Sequence, residues 1–224
     1  MLPPDLESVW QRYLLVERSG VRSEALRLLE RFIDGLVLQD QQVQRAWTTH
    51  VIADIVDNGQ EIPVRFPLFR RVFLPFLIDG LHHQRPGCAR WLAAFESFLT
   101  QASPPGLPPE LSLRAALLRK ALCIDPHDYR AQAQLLNSEA EYFAYTLHEL
   151  PGGVLFGLNG ATPEECDALL ERLSEFERLN PHAERSDQTQ ALIDECRFHY
   201  HAYRRYLTSS SEGMTYEQFL RTAG

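Results

Sequence analysis

The chain of 224 residues lacks the features that would assign it to several classes at once. No segment shows sustained alternation of apolar and polar residues, so no β-strand is predicted. The most apolar run, residues 66–81, is interrupted by Arg70, Arg71 and Asp79, and it falls short of the roughly 20 apolar residues that a membrane-spanning helix needs. The N-terminus has neither the basic region nor the long apolar core of a signal peptide. We therefore expect a cytoplasmic protein without a membrane segment.

Basic residues are also scarce. There are 22 Lys and Arg residues against 30 Asp and Glu residues, which gives a formal net charge of -8 at pH 7. Such a surface repels nucleic-acid phosphates and attracts basic partners. The charge therefore disfavours nucleic acid and favours another protein, of basic character, as the partner.

Catalytic and redox motifs are missing as well. The cysteines at positions 88, 123, 166 and 196 form no C-x-x-C pair, and we expect them to be small buried hydrophobic residues in a reducing compartment. No Ser/His/Asp or Cys/His arrangement can be assembled from neighbouring positions. Because distant residues can still converge in a fold, catalysis stays open, but a non-enzymatic role without a cofactor is favoured.

What the chain has is helical periodicity. Apolar residues recur every three or four positions along most of its length, which is typical of amphipathic helices. Asp5 and Asp40 are expected to cap the helices that follow them, and Thr162 with Glu165 forms a capping box. Pro75 lies inside a predicted helix and is expected to kink it.

Two predicted helices have clear buried faces. The first begins at Pro86 and buries Trp91, Phe95 and Phe98. The second is a long helix from about residue 128 to residue 149. Its apolar stripe consists of Leu136, Ala140, Phe143, Leu147 and Leu150.

Short connections between successive helices favour antiparallel neighbours. The predicted fold class is therefore all-α, an array of antiparallel amphipathic helices of the kind found in an irregular α-solenoid. We expect a single helical domain over residues 1–224. If the chain is divided, the proline-rich segment 103–109 is the expected subdomain boundary.

Residues 115–126 read AALLRKALCIDP. This segment resembles the second helix of a tetratricopeptide repeat, in which an alanine and an apolar pair are followed by Asp-Pro. The match covers half of one repeat. The resemblance implies that helices stack on one another in this part of the chain.

Residues 150–160 read LPGGVLFGLNG and interrupt the helical pattern. The segment is long for a connection between helices, and its glycines permit close approach to a ligand. One interpretation is a loop whose apolar residues pack back onto the helix ends. The other is a contact loop that works with two residues on the polar face of the preceding helix. The predicted contact residues are Tyr145, His148, Gly152, Gly153, Phe156 and Leu158.

An alternative function is metal binding or catalysis by a helical enzyme. Glu195 and His199 are four positions apart on a predicted helix, so both can ligate one metal ion. With Glu141 and His148 they would form a dinuclear carboxylate site, although neither helix has the Glu-x-x-His spacing of di-iron bundles.

A third interpretation is binding of an anionic ligand or RNA. Arg197, Arg204 and Arg205 lie among aromatic residues, an arrangement that binds single-stranded nucleic acid in other proteins. The overall acidity argues against it. An amphipathic helix whose tyrosines pack inward explains the same residues without any ligand.

The sequence thus favours a non-enzymatic module for protein–protein interaction, either an adaptor or an inhibitor of a basic partner. Its acidic charge would steer such a partner toward it.

Overall fold

The computed structural model describes residues 2–102, 104, 107, 111, 113–149, 162–180, 186–209 and 214–223. These residues form helices and connecting loops and contain no β-strand, so the predicted all-α class is confirmed. None of the helices within those ranges combines the length and apolarity needed to cross a bilayer. The antiparallel solenoid arrangement stays a prediction.

The helices follow one another with short connections through most of the chain. In order they are α1 (Pro4–Arg18), α2 (Arg22–Val37), α3 (Gln41–Val56), α4 (Phe66–Leu68), a π-helical turn (Phe69–Phe73), α5 (Leu74–His82), α6 (Cys88–Ala94), α7 (Glu96–Ala102), α8 (Arg114–Ile124), α9 (Tyr129–Glu149), α10 (Pro163–Leu179), α11 (Asp187–Thr208) and α12 (Tyr216–Ala223).

Two of the predicted helix starts are confirmed. The Asp40 carboxylate accepts a hydrogen bond from the backbone N–H of Gln42 at 2.7 Å and caps α3. At α10 the Thr162 hydroxyl accepts from the Glu165 N–H at 3.2 Å, while the Glu165 carboxylate accepts from the Thr162 N–H at 3.0 Å. These bonds satisfy N–H groups that have no partner inside the helix.

Two other boundaries differ from the prediction. Helix α1 begins at Pro4, and Asp5 lies in its first turn instead of capping it. A proline suits the first turn of a helix, and a carboxylate there interacts favourably with the helix dipole. The single helix expected from Pro86 is instead split into α6 and α7 at Phe95, and α6 begins only after Gly87, whose φ of 83° is left-handed.

The irregularity expected at Pro75 takes the form of a π-helical turn. The N–H of Leu74 donates to the carbonyl of Phe69, five residues earlier, instead of the usual four. In a regular α-helix the ring of Pro75 would clash with the carbonyl of Arg71. We attribute the wider turn to this clash.

Residues 1–131 and 132–224 form two compact units, and the division between them falls inside α9. The segment 103–109, where the sequence predicts a boundary, belongs to the first unit. Most of that segment lies outside the described residues, so this boundary and the single-domain organisation stay predictions. The tetratricopeptide resemblance also stays a prediction; α8 covers most of its segment and ends before Asp125.

Aromatic side chains build the core of residues 1–131. The ring of Trp10 lies 4.9 Å from that of Phe32 and 5.2 Å from that of Trp47, which is perpendicular to it. All three are buried. Such tilted and edge-on contacts stabilise a core beyond the burial of area alone.

The aromatic face predicted for residues 86–99 is partly confirmed. Trp91 and Phe95 are buried, but Phe98 is only half-buried. Phe98 stacks on Phe69, with their ring centroids 5.2 Å apart. The indole of Trp91 instead donates to a carboxylate, as described below.

The core of residues 132–224 is centred on Phe143. Its ring lies 5.6 Å from that of Phe176 and 6.4 Å from that of Tyr200. The other buried members of this cluster are Cys166, Leu169, Leu173, Ile193, Cys196, Ala202, Tyr203 and Tyr216. Every member belongs to the second unit.

The stripe predicted for α9 faces the core of the second unit, although Phe143 alone among its described members is fully buried. Phe143 is fully buried as expected, and Leu150 lies outside the described residues. The members that are only partly buried are Leu136, Ala140 and Leu147. Glu139, in contrast, is 1% exposed, and its carboxylate accepts from the Nε of Arg172 at 2.7 Å. An ion partner lets a carboxylate occupy an interior position.

The prediction that all cysteines are buried is wrong for one of them. Cys88, Cys166 and Cys196 are buried, whereas Cys123 is exposed on α8, and all four are free thiols. Cys123 lies on the side of α8 away from the buried residues Leu117, Leu118 and Ala121.

Gly80 marks a close approach between α5 and α6. A Cβ atom at Gly80 would lie 2.9 Å from the Cβ of Cys88 and closer still to its Sγ. Gly80→Ala should therefore force the helices apart and cost roughly 1–3 kcal/mol in urea unfolding followed by tryptophan fluorescence. Gly35→Ala is the matched control, because its Cβ would meet only the flexible end of Leu6. Equal losses in both variants would contradict the close approach.

Candidate functional site

The contact loop predicted at residues 150–160 lies outside the described residues, and with it Gly152, Gly153, Phe156 and Leu158. Its two predicted neighbours on α9 are placed. Tyr145 is 56% exposed and His148 is exposed, so both are accessible from solvent. The contact role of these residues stays a prediction.

The residues predicted as metal ligands are not gathered at one point. Glu141 and Glu195 are exposed, and the half-buried His199 has its Nδ1 2.9 Å from the hydroxyl of Tyr216. Burial lowers the pKa of His199, although the charge of Glu195 opposes this, so the neutral imidazole is favoured. Within the described ranges, no three His, Cys, Asp or Glu side chains are close enough to hold a metal ion.

Two of the arginines predicted to contact an anion are engaged with carboxylates of α10. Arg197 pairs with Glu177, and the Nε of Arg204 lies 2.7 Å from a carboxylate oxygen of Asp167. Arg205 is exposed. The aromatic residues between these arginines include the buried Tyr200 and Tyr203, as the packing interpretation expects.

The structure also assembles a site that the sequence analysis did not contain. Its centre is Arg90 on α6, whose side chain is only 7% exposed. The guanidinium donates to Asp57 just after α3, and its Nε donates to a carboxylate oxygen of Asp128 at 2.9 Å. A buried arginine and its two carboxylates hold one another in place, because burying any of these charges without its partner would cost free energy.

Asp57 is held from three directions. Besides Arg90, the indole Nε1 of Trp91 donates to its Oδ2 at 3.0 Å, and the guanidinium of Arg130 lies 3.1 Å from its Oδ1. Burial by itself would raise the pKa of Asp57, but the hydrogen bonds from Arg90 and Trp91 outweigh it and hold the pKa below its usual range. Asp57 is therefore ionised at neutral pH.

The loop between α8 and α9 completes the site. Asp128 uses its second oxygen to accept from the N–H of Ala131 at 2.9 Å, and so it caps α9 while it pairs with Arg90. Asp125 accepts from the N–H of His127 at 3.0 Å, a local turn bond. The buried network thus fixes the position of this loop.

These elements surround an open depression of about 490 Å³. Its lining combines backbone near Gly87 with aromatic and charged side chains. They include Trp91, Asp125, His127, Tyr129 and Arg130. The ring of Tyr129 is 73% exposed and lies 6.5 Å from that of His127.

The charges of the depression favour a cation. Its lining holds the carboxylates of Asp125 and Asp128 and the guanidinium groups of Arg90 and Arg130, and Asp57 contacts both guanidinium groups from outside the lining. Asp57 and Asp128 are neutralised by the arginines, so the excess negative charge lies at the half-buried Asp125. A carboxylate near exposed aromatic rings attracts ammonium and guanidinium groups through charge and cation–π attraction.

The sequence analysis missed this site because its parts are far apart in the chain. Arg90 is separated from its partners by 33 and 38 residues. Local patterns place Trp91 in the core, and they give Asp125 no role beyond the Asp-Pro that ends the repeat-like segment. The only local signal is the density of aromatic and charged residues just after Pro126.

The depression thus lies on an all-α protein. The chain matches no protein-family model, and no curated protein and no solved structure is significantly similar to it. The fold and the site geometry are accordingly the basis for the functional proposal.

Proposed function

We propose that this chain is a non-enzymatic interaction module that binds a basic segment of a partner protein, as an adaptor or an inhibitor of that partner. One lysine or arginine side chain of the partner enters the depression beside Asp125 and Tyr129. The observation that supports this most is the combination of a buried charge network with the carboxylate of Asp125, which no arginine of the described residues neutralises.

The residues of the site have two different roles. Arg90 and Asp57 are buried and bonded to each other, so they support the loop and do not contact a partner. Asp125 and the exposed ring of Tyr129 stay available to a partner. Because Asp128 already holds the loop through Arg90 and the N–H of Ala131, binding would cost little additional conformational entropy.

The charge of the whole chain supports the same partner. A net charge of -8 draws a basic partner to the surface at long range. Such attraction alone has no fixed site and is weakened by salt. The specific part of the proposal is therefore the depression, and the test has to separate it from diffuse attraction.

A hexa-arginine peptide, acetylated and amidated, is a suitable probe for isothermal titration calorimetry. Asp125→Asn should weaken its binding roughly three- to tenfold, the effect of one partly exposed charge pair. Tyr129→Ala should weaken it by a similar factor through loss of the cation–π contact. Both residues are accessible enough that the fold should persist.

Asp194→Asn is the matched control, because it removes the same charge from an exposed position on α11. It should leave the affinity nearly unchanged. If Asp125→Asn and Asp194→Asn weaken binding equally, the peptide is held by diffuse charge and the depression is not its site.

A further inference from the structure

A second cavity, of about 290 Å³, lies within residues 1–131 and has no part in the proposed peptide site. One wall is the polar side of α3, and the other comes from the π-helical turn and α5. Leu36, Val72 and Phe76 supply its apolar lining. The volume is near the lower limit for ligand pockets, so it suits a small molecule.

The first indication of a ligand is Thr48, which lines this cavity and is 2% exposed. Among the described residues, the other buried polar ones, Arg90, Glu139 and Thr146, each have a hydrogen-bond partner within the protein. The hydroxyl of Thr48 has no such partner, and its oxygen is not one of the described atoms that are sealed from solvent without a partner. The hydroxyl is therefore reached from the cavity, where it can bond to water or to an oxygen of a ligand.

The second indication is the state of the two arginines that line the cavity. Arg71 is engaged by two carboxylates, of Glu30 at 2.8 Å and of Asp34 at 2.6 Å. Arg45 makes one long contact, 3.4 Å from an oxygen of Asp79. Asp79 is itself held mainly by Arg85, whose hydrogen bond is the largest influence lowering the pKa of Asp79.

The side chain of Arg45 is 46% exposed and makes no other ion pair within the described ranges, so its remaining donors are open to solvent or to a ligand. It stands three residues before Thr48, which places both side chains on the same side of α3. A guanidinium binds a carboxylate through two parallel hydrogen bonds. An apolar lining with one such group and one hydroxyl is the usual composition of a site for a small amphipathic molecule.

We propose that this cavity binds a small organic carboxylate with an apolar body. The carboxylate pairs with Arg45, the hydroxyl of Thr48 donates to one of its oxygens, and the apolar body packs on Leu36, Val72 and Phe76. The net negative charge of the chain opposes anions only weakly at physiological salt, where screening acts within about 8 Å.

The test is an NMR titration of the full chain with sodium 3-phenylpropionate, compared with the uncharged 3-phenylpropionamide. The acid should bind at the cavity, and the amide should bind at least tenfold more weakly. Arg45→Gln should weaken binding of the acid by roughly ten- to a hundredfold, as expected for a charged hydrogen-bonded pair. Arg12→Gln, at an exposed position of α1, is the matched control and should have no effect.

Thr48→Val gives a second, independent measurement. It should weaken binding of the acid several-fold, because it removes the hydroxyl that donates to the carboxylate. Binding of the acid to Thr48→Val with the affinity of the wild type would overturn the proposal. The proposal also fails if the amide binds as well as the acid, if Arg45→Gln has no effect, or if neither compound binds at its solubility limit.

Discussion

Arg90→Met should destabilise residues 1–131 by roughly 3–5 kcal/mol, because it removes the buried guanidinium that two buried carboxylates share. Asp57 and Asp128 are both nearly as buried as Arg90 itself. Methionine keeps much of the apolar volume of the arginine side chain, so the loss reports on charge more than on packing. Urea unfolding followed by tryptophan fluorescence measures it.

Two variants make this result specific. Arg130→Gln removes a guanidinium that contacts the same carboxylate of Asp57 from an exposed position, and it should cost less than about 1 kcal/mol. Adding Asp57→Asn and Asp128→Asn to Arg90→Met should restore much of the lost free energy of unfolding. The triple variant no longer buries a carboxylate that has lost the guanidinium of Arg90. If the triple variant is less stable than Arg90→Met, the network stabilises through geometry and not through charge balance.

The stability lost in Arg90→Met should also depend on pH, and the pKa of Asp57 determines the direction of this dependence. Its pKa in the folded protein lies below the ordinary value of 3.8. The ionised Asp57 therefore stabilises the fold fully above pH 3.8, and this stabilisation is lost as the pH falls through the lower pKa of the folded protein. In Arg90→Met the carboxylate of Asp57 loses the hydrogen bond that lowers its pKa most, so it is protonated more easily. The difference between wild type and variant should shrink as the pH falls below about 4.

Phe143→Ala should cost roughly 3–5 kcal/mol in the second unit, as truncations of fully buried aromatic residues do. The cluster around Phe143 contains residues of 132–224 alone, while all three tryptophans lie in residues 1–131. Far-UV circular dichroism should therefore show an earlier transition, whereas the tryptophan transition should stay in place. Tyr145→Ala, at an exposed position two residues away on the same helix, should change neither signal.

The same experiment tests the domain organisation. If the tryptophan transition moves together with the dichroism in Phe143→Ala, the chain unfolds as one cooperative domain, as the sequence predicts. Separate transitions would instead support two folding units that divide within α9.

The fold class was predictable because it depends on local patterns. Helical spacing of apolar residues and the capping residues Asp40 and Thr162 act within one or two turns of a helix. Asp5 shows where this reasoning is weaker. The residue is a good cap in isolation, but two prolines before it begin the helix earlier.

Local patterns did not predict which polar residues are buried, because their burial depends on contacts with distant segments. Periodicity assigns Leu136 and Ala140 to the core of α9, yet Glu139 is more deeply buried because Arg172, from another helix, neutralises it. Arg90 and Thr48 are similar cases, since the charged partners of one and the cavity beside the other come from distant segments. The candidate sites therefore required the fold, and the sequence supplied only the acidic charge that favours a basic partner.

The uneven burial of the thiols makes the chain suited to site-specific labelling without mutagenesis. Burial raises the pKa of Cys88, and it raises the pKa of Cys166 and of Cys196 to about 11, so these three have little thiolate at neutral pH. Cys123 is exposed and stands two residues before Asp125. A maleimide fluorophore should attach there selectively and provide an optical reporter of partner binding beside the depression.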